Sequence, residues 1–135
     1  MAIEAGQQLL HYRLIEKIGE GGMGFVWHAE DTKLHRDVAL KFLPGDVVSN
    51  PDRLSRFQRE ARMLASLNDA NVASIYDMEE AETPAGPVRF LVLELVPGVS
   101  LEQRLEKGPL PIQETLRICC DLARGLEAAH AKGMI

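Results

Sequence analysis

Apolar and polar residues alternate over 12–18, the period-two signature of a half-buried strand. Strand character returns at 25–30 (Phe-Val-Trp-His-Ala-Glu) and at 37–43 (Asp-Val-Ala-Leu-Lys-Phe-Leu), with a polar turn at 31–36 between them. Pro44-Gly45 ends the third run. Asn50-Pro51 then reads as a helix start, a capping side chain followed by proline at the first helical position. The helix is expected over 51–67, where Leu54, Phe57, Ala61, Leu64 and Leu67 form one stripe at roughly 100° per residue. Two further strands are expected near 72–79 and 88–95, joined by a loop at 83–87. Past Pro97-Gly98 only helices follow, a short one near 100–107 and a long one over 111–132. The expected fold class is α+β, a five-stranded antiparallel sheet with one main helix and then the first helices of a second lobe. Segment 1–11 reads as an extension, 12–97 as the sheet lobe and 98–135 as the start of the helical part.

Composition narrows the class. A chain of 135 residues with 46% apolar content is one globular domain or a large part of one. A net charge of −5, with no basic run, argues against a nucleic-acid surface. The N-terminus lacks a basic start followed by an apolar core, and no apolar run approaches the ~18 residues of a membrane span. Cys119 and Cys120 are adjacent and poorly placed to bridge, which fits a reduced, cytoplasmic setting and small residues buried on a helix. The histidines show no metal-ligand spacing, so no metal site is expected.

The stretch 18–26, Ile-Gly-Glu-Gly-Gly-Met-Gly-Phe-Val, holds Gly19, Gly21 and Gly24 in G-x-G-x-x-G spacing. Alone, such spacing fits a plain hairpin as well as a phosphate site. A dinucleotide fingerprint would need a helix next, whereas a strand follows here. A hairpin tip can instead fold over phosphates and offer them backbone N–H groups. The P-loop pattern is absent.

Two charges occupy apolar patterns. Strand alternation puts Val38, Leu40 and Phe42 on one face and Ala39, Lys41 and Leu43 on the other, so Lys41 is a cation inside an apolar strand. An edge lysine reaching water would explain it equally well. Glu60 falls between Leu64 and Leu67 on the helical wheel, and a carboxylate facing a core needs a cation. Lys41 is the natural candidate, unless the helix is rotated to expose Glu60.

With these residues in order, the chain resembles bacterial, eukaryotic-like serine/threonine protein kinases. The resemblance rests on Gly-Glu-Gly-Gly-Met-Gly-Phe-Val (19–26), Val-Ala-Leu-Lys (38–41), Arg-Phe-Gln-Arg-Glu-Ala (56–61), Phe-Leu-Val-Leu-Glu-Leu-Val-Pro-Gly-Val-Ser-Leu (90–101) and the segment 122–135. It covers nearly everything from Tyr12 onward. It implies that Ile18, Gly19, Glu20, Gly21, Gly22, Met23 and Gly24 form the loop over ATP. Lys41 would contact the α- and β-phosphates and pair with Glu60, and that pair would act as an activity switch. Val26 and Ala39 would roof the adenine, Leu93 would limit pocket depth, and Glu94, Leu95 and Val96 would line the connector, with backbone bonds to adenine from Glu94 and Val96. Leu64 and Ile75 would tie helix to sheet.

The departures matter as much. Asn68-Asp69-Ala70-Asn71 stands where the family often has His-Pro-Asn. His35-Arg36-Asp37 mimics the catalytic triplet but precedes Lys41, and Phe42 sits where that loop needs a metal-binding asparagine. No Asp-Phe-Gly occurs within the 135 residues. The piece is therefore expected to bind ATP yet be inactive alone, with Mg2+ and protein substrates engaged only by the absent catalytic half. A non-catalytic nucleotide-binding or interaction module is the alternative, and a membrane anchor elsewhere in a longer protein stays open. Ile112, Leu116, Cys119, Leu122, Ala123, Leu126 and Ala129 would leave an exposed apolar face on helix 111–132, a surface for self-association.

Overall fold

The computed structural model describes residues 3–21 and 24–134. Among them one antiparallel sheet contains β1 (Gln8–Leu9), β2 (Tyr12–Gly21), β3 (Gly24–Asp31), β4 (Arg36–Phe42), β5 (Ile75–Thr83) and β6 (Gly86–Glu94), in the order β1-β2-β3-β4-β6-β5. Helices α1 (Gly45–Val48) and α2 (Pro51–Ala65) cross between β4 and β5; α3 (Leu101–Leu105) and α4 (Ile112–Ala131) follow the sheet. The sheet thus has six strands, where five were expected. The additional one, β1, lies in the segment read as an extension and pairs Leu9 with Tyr12. Two residues are too short to carry a periodic signal, yet Leu9 is buried in the core.

The core lies on one face of the sheet. Val38, Leu40 and Phe42 are fully buried, as alternation requires, and Phe90 and Val92 of β6 meet them. Phe42 stacks on Phe25 with ring centroids 5.3 Å apart and tilts against Phe90 at 5.4 Å. Tyr12 closes the far end, edge-on to Phe90. Burial, reinforced by nearby carboxylates, pushes its phenol up to about 12.

Asp31 is the buried charged residue of this end, 2% exposed. Its carboxylate accepts backbone N–H bonds from Lys33 and Leu34 at 2.9 Å, which folds the β3–β4 turn. Burial raises its pKa, but those bonds, with His11 and Arg36, outweigh burial and hold it below the ordinary aspartate value. A depressed folded pKa contributes stability that is complete above the unfolded value of about 4 and fades as pH falls through the folded value. Asp31→Asn is expected to lower the thermal midpoint at about pH 7, with the gap to wild type shrinking below about pH 4. A gap independent of pH would contradict this role.

The Asn50 side chain caps α2, accepting from the Asp52 and Arg53 amides at 3.1 and 3.2 Å. The helix packs on β5 through Ala61; Leu54, Phe57, Leu64 and Leu67 are only half-buried. A capping box of Ser100 and Gln103 starts α3. Arg104 and Glu114, 2.7 Å apart, tie α3 to α4. Along α4 the apolar face is open: Ile112 is 77% exposed, and Leu116, Leu122 and Leu126 more than half. Cys119 and Cys120 are exposed too, against the expectation of burial, because the described residues beside them flank the helix without enclosing it. No helix among the described residues is long and apolar enough to cross a membrane.

Candidate functional site

The glycine stretch forms the β2–β3 hairpin, as its flanking strand patterns require. Gly19 pairs with Val26, Glu20 with Phe25 and Gly21 with Gly24; Gly22 and Met23 lie outside the described residues. Gly24 has φ +101°, and a Cβ there would run into the Phe42 carbonyl oxygen. The fold itself therefore demands glycine at 24. It does not demand it at 21, where a Cβ would meet nothing within 4 Å, nor at 19, where the nearest atom is Val26 Cβ at 3.9 Å. Packing within the fold therefore does not account for glycine at those two positions. Glu20 is held by Lys17 at 2.9 Å.

The β3–β4–β6 register builds the face opposite the core. One row runs Val26, Lys41, Leu91 and the next His28, Ala39, Leu93. Val26, Ala39, Lys41 and Leu93, singled out from sequence, therefore share one surface. At its outer end lies a cavity of about 680 Å³ between the β2–β3 strands and the connector that leaves the sheet. Ile18, Leu95 and Val96 line it, joined by Glu16, Lys17 and His28 from the strands and by Gln103 of α3, while Val26, Ala39, Lys41 and Leu93 do not. Glu94 stands beside it, its N–H donating to the Ser74 carbonyl at 2.8 Å and its carboxylate accepting from the Ser74 amide at 3.0 Å. Its side chain thus has a structural role that the family pattern did not foretell. His28 was also missed, although strand alternation from Val26 puts it on the same face.

Lys41 and Glu60 are not brought together. Lys41 is half-buried and Glu60 exposed, and among the described residues no ion pair within 4.0 Å joins them. Glu60 instead lines a cavity of about 500 Å³ with Met63, facing Leu126, Ala129 and His130 of α4. A helical wheel fixes where Glu60 sits relative to Leu64 and Leu67, but not how far the helix rolls toward the sheet. With Ala61 as its buried residue, α2 is rolled so that Glu60 points away. Leu64 is half-buried, and Ile75 lines a separate cavity of about 370 Å³ between α2 and β5. His35-Arg36-Asp37 occupies the turn into β4, with Arg36 stacked 3.9 Å over the Tyr76 ring.

The protein kinase domain family matches residues 12–135. The serine/threonine-protein kinase PknB of Mycobacterium leprae is 41% identical over 125 residues, covering 92% of this chain and 20% of PknB. PknA of Mycobacterium tuberculosis is 40% identical over 126 residues, covering 92% of this chain and 29% of PknA. The crystal structure of the Mycobacterium tuberculosis PknI kinase domain is similar with a TM-score of 0.80 at 26% identity, over 98% of this chain and 53% of that one. The chain spans less than a third of the length of these curated relatives, and about half of that solved domain. With the family matched across nearly its whole length, the chain belongs to the protein kinase domain family, and its sheet and first helices form the N-terminal part of that fold.

Proposed function

We propose that this chain binds ATP between the glycine hairpin and the connector, as the nucleotide-binding part of a cytoplasmic kinase that phosphorylates serine or threonine in proteins. The observation that carries this reading is the register that places Lys41 opposite Val26, on the glycine-hairpin side of the sheet and on the face whose outer end holds the cavity. A cavity of about 680 Å³ falls within the ordinary range for small-molecule sites. The hairpin glycines would offer N–H groups to the triphosphate, and the Lys41 ammonium would neutralise the α- and β-phosphates. Glu94 and Val96 would present backbone groups to the adenine, Val26 and Ala39 its apolar roof, and Leu93 the inner limit. The lobe would end near Pro97-Gly98.

The Lys41–Glu60 separation corresponds, in this reading, to the open position of a switch. Rolling α2 toward the sheet would bring the carboxylate to the ammonium and fix it for catalysis. Mg2+ is expected only with the catalytic loop and Asp-Phe-Gly segment, neither of which the 135 residues contain. The helices carrying those segments would also cover the open face of α4; the 135 residues alone would self-associate through it. The competing reading, a non-catalytic nucleotide-binding module, draws on the same separation of Lys41 from Glu60.

Fusion of this chain to the catalytic half of a related kinase domain tests the reading. The chain alone is expected to bind ATP without transferring phosphate, and the fusion to phosphorylate serine or threonine in a protein substrate. Phosphotransfer by the 135 residues alone, or a folded fusion that binds ATP and remains inert, would contradict it.

A further inference from the structure

The cavity wall contains a polar atom that the nucleotide reading does not use. Among the described residues His28 Nε2 is buried without a hydrogen-bond partner, 3.6 Å from Asp37 Oδ1 of β4. On its other side, Nδ1 stands 4.0 Å from Glu16 Oε1 of β2. The imidazole therefore lies between carboxylates from both neighbouring strands, with neither contact short enough to be a hydrogen bond as it stands.

The position is mechanically particular. The β2–β3 register is irregular between Leu14 and Glu16 and again between Lys17 and Gly19. The pairing of Glu16 with His28 falls in the short regular stretch between these irregularities, at the root of the glycine hairpin. Irregularities of this kind bend a strand, so the hairpin's angle over the cavity is set here. The charges have the same focus. Asp37 lies opposite Glu30 in the β3–β4 register, an unfavourable like-charge pairing. Arg13 serves Glu30 at 3.0 Å, and Lys17 serves Glu20. Among the described residues, His28 is the side chain that brings a nitrogen within 4.0 Å of both Glu16 and Asp37.

We propose that His28 is a positioning residue: with its ring protonated it donates an N–H to each carboxylate, clamps β2 and β4 together and holds the glycine hairpin at the height a nucleotide requires. The inference rests on the nucleotide reading of the cavity, but the clamp can be measured without ligand. His28→Leu is expected to speed amide exchange over residues 16–26 in the ligand-free chain and to weaken ADP binding about three-fold. Asp37→Asn, at a more exposed position, should have the same effects by itself, and should add little to His28→Leu. His28→Lys, which supplies a cationic donor at the same position, should recover both readouts; a side chain that merely filled space would not be rescued by charge. Unchanged exchange over 16–26 in both single variants, or fully additive effects, would overturn the proposal. Absence of ADP binding in the wild type would instead defeat the nucleotide reading, and the exchange measurements would still decide the clamp.

Discussion

Lys41→Ala is expected to weaken ATP binding on the order of a hundred-fold while the thermal midpoint moves by only about 2 °C. A charge-assisted contact to phosphate in a partly enclosed site is worth several kcal/mol; about 2.8 kcal/mol gives a hundred-fold change. The small effect on stability follows from the geometry. Lys41 is half-buried and, among the described residues, makes no ion pair within 4.0 Å, so truncating it strands no partner charge. Calorimetric titration with ATP and a thermal scan of the same variant check both halves. Unchanged affinity would remove the ammonium from the site, and a collapsed midpoint would make Lys41 a structural residue.

The adjacent position should behave in the opposite way. Phe42→Ala is expected to destabilise the lobe by about 3–5 kcal/mol, a large share of the roughly 5–15 kcal/mol that holds a domain together. Phe42 is 0% exposed and packs between Phe25 and Phe90, so its loss leaves a cavity at the centre of the sheet. Denaturant unfolding measures the loss directly. ATP affinity should fall only to the extent that the variant is unfolded, because the side chain points away from the cleft. One residue along a strand reverses the face, so Lys41 and Phe42 separate binding from stability within a single pair. A Phe42 variant of near wild-type stability would mean that the core is misassigned.

That face reversal is also what the sequence made most legible. The alternation in 37–43 placed Val38, Leu40 and Phe42 inside and Lys41 opposite, and the β3–β4 pairing agrees row by row. Asn50-Pro51 announced α2 because capping is local chemistry, complete within a few residues. What depends on contacts between distant segments was not legible. The roll of α2 is such a case: periodicity located Glu60 on the helix, while its exposure is decided by packing against β5 and α4. Both cysteines were assigned to a core that the described residues do not supply around α4. The strand β1 carries too few residues for any period to register, and the register irregularities in β2 leave no compositional mark. His28 could have been found, since it follows Val26 at strand spacing; the signal was there and the flanking carboxylates were not visible without the register.

The most direct test of the nucleotide site is covalent. An adenosine analogue carrying an amine-reactive sulfonyl fluoride in place of its triphosphate, followed by peptide mass spectrometry, reports which ammonium lies where the phosphates would be. Modification of Lys41 that ATP suppresses is the expected result. Labelling that falls on other lysines, or that ATP does not suppress, would contradict a nucleotide bound beneath the hairpin.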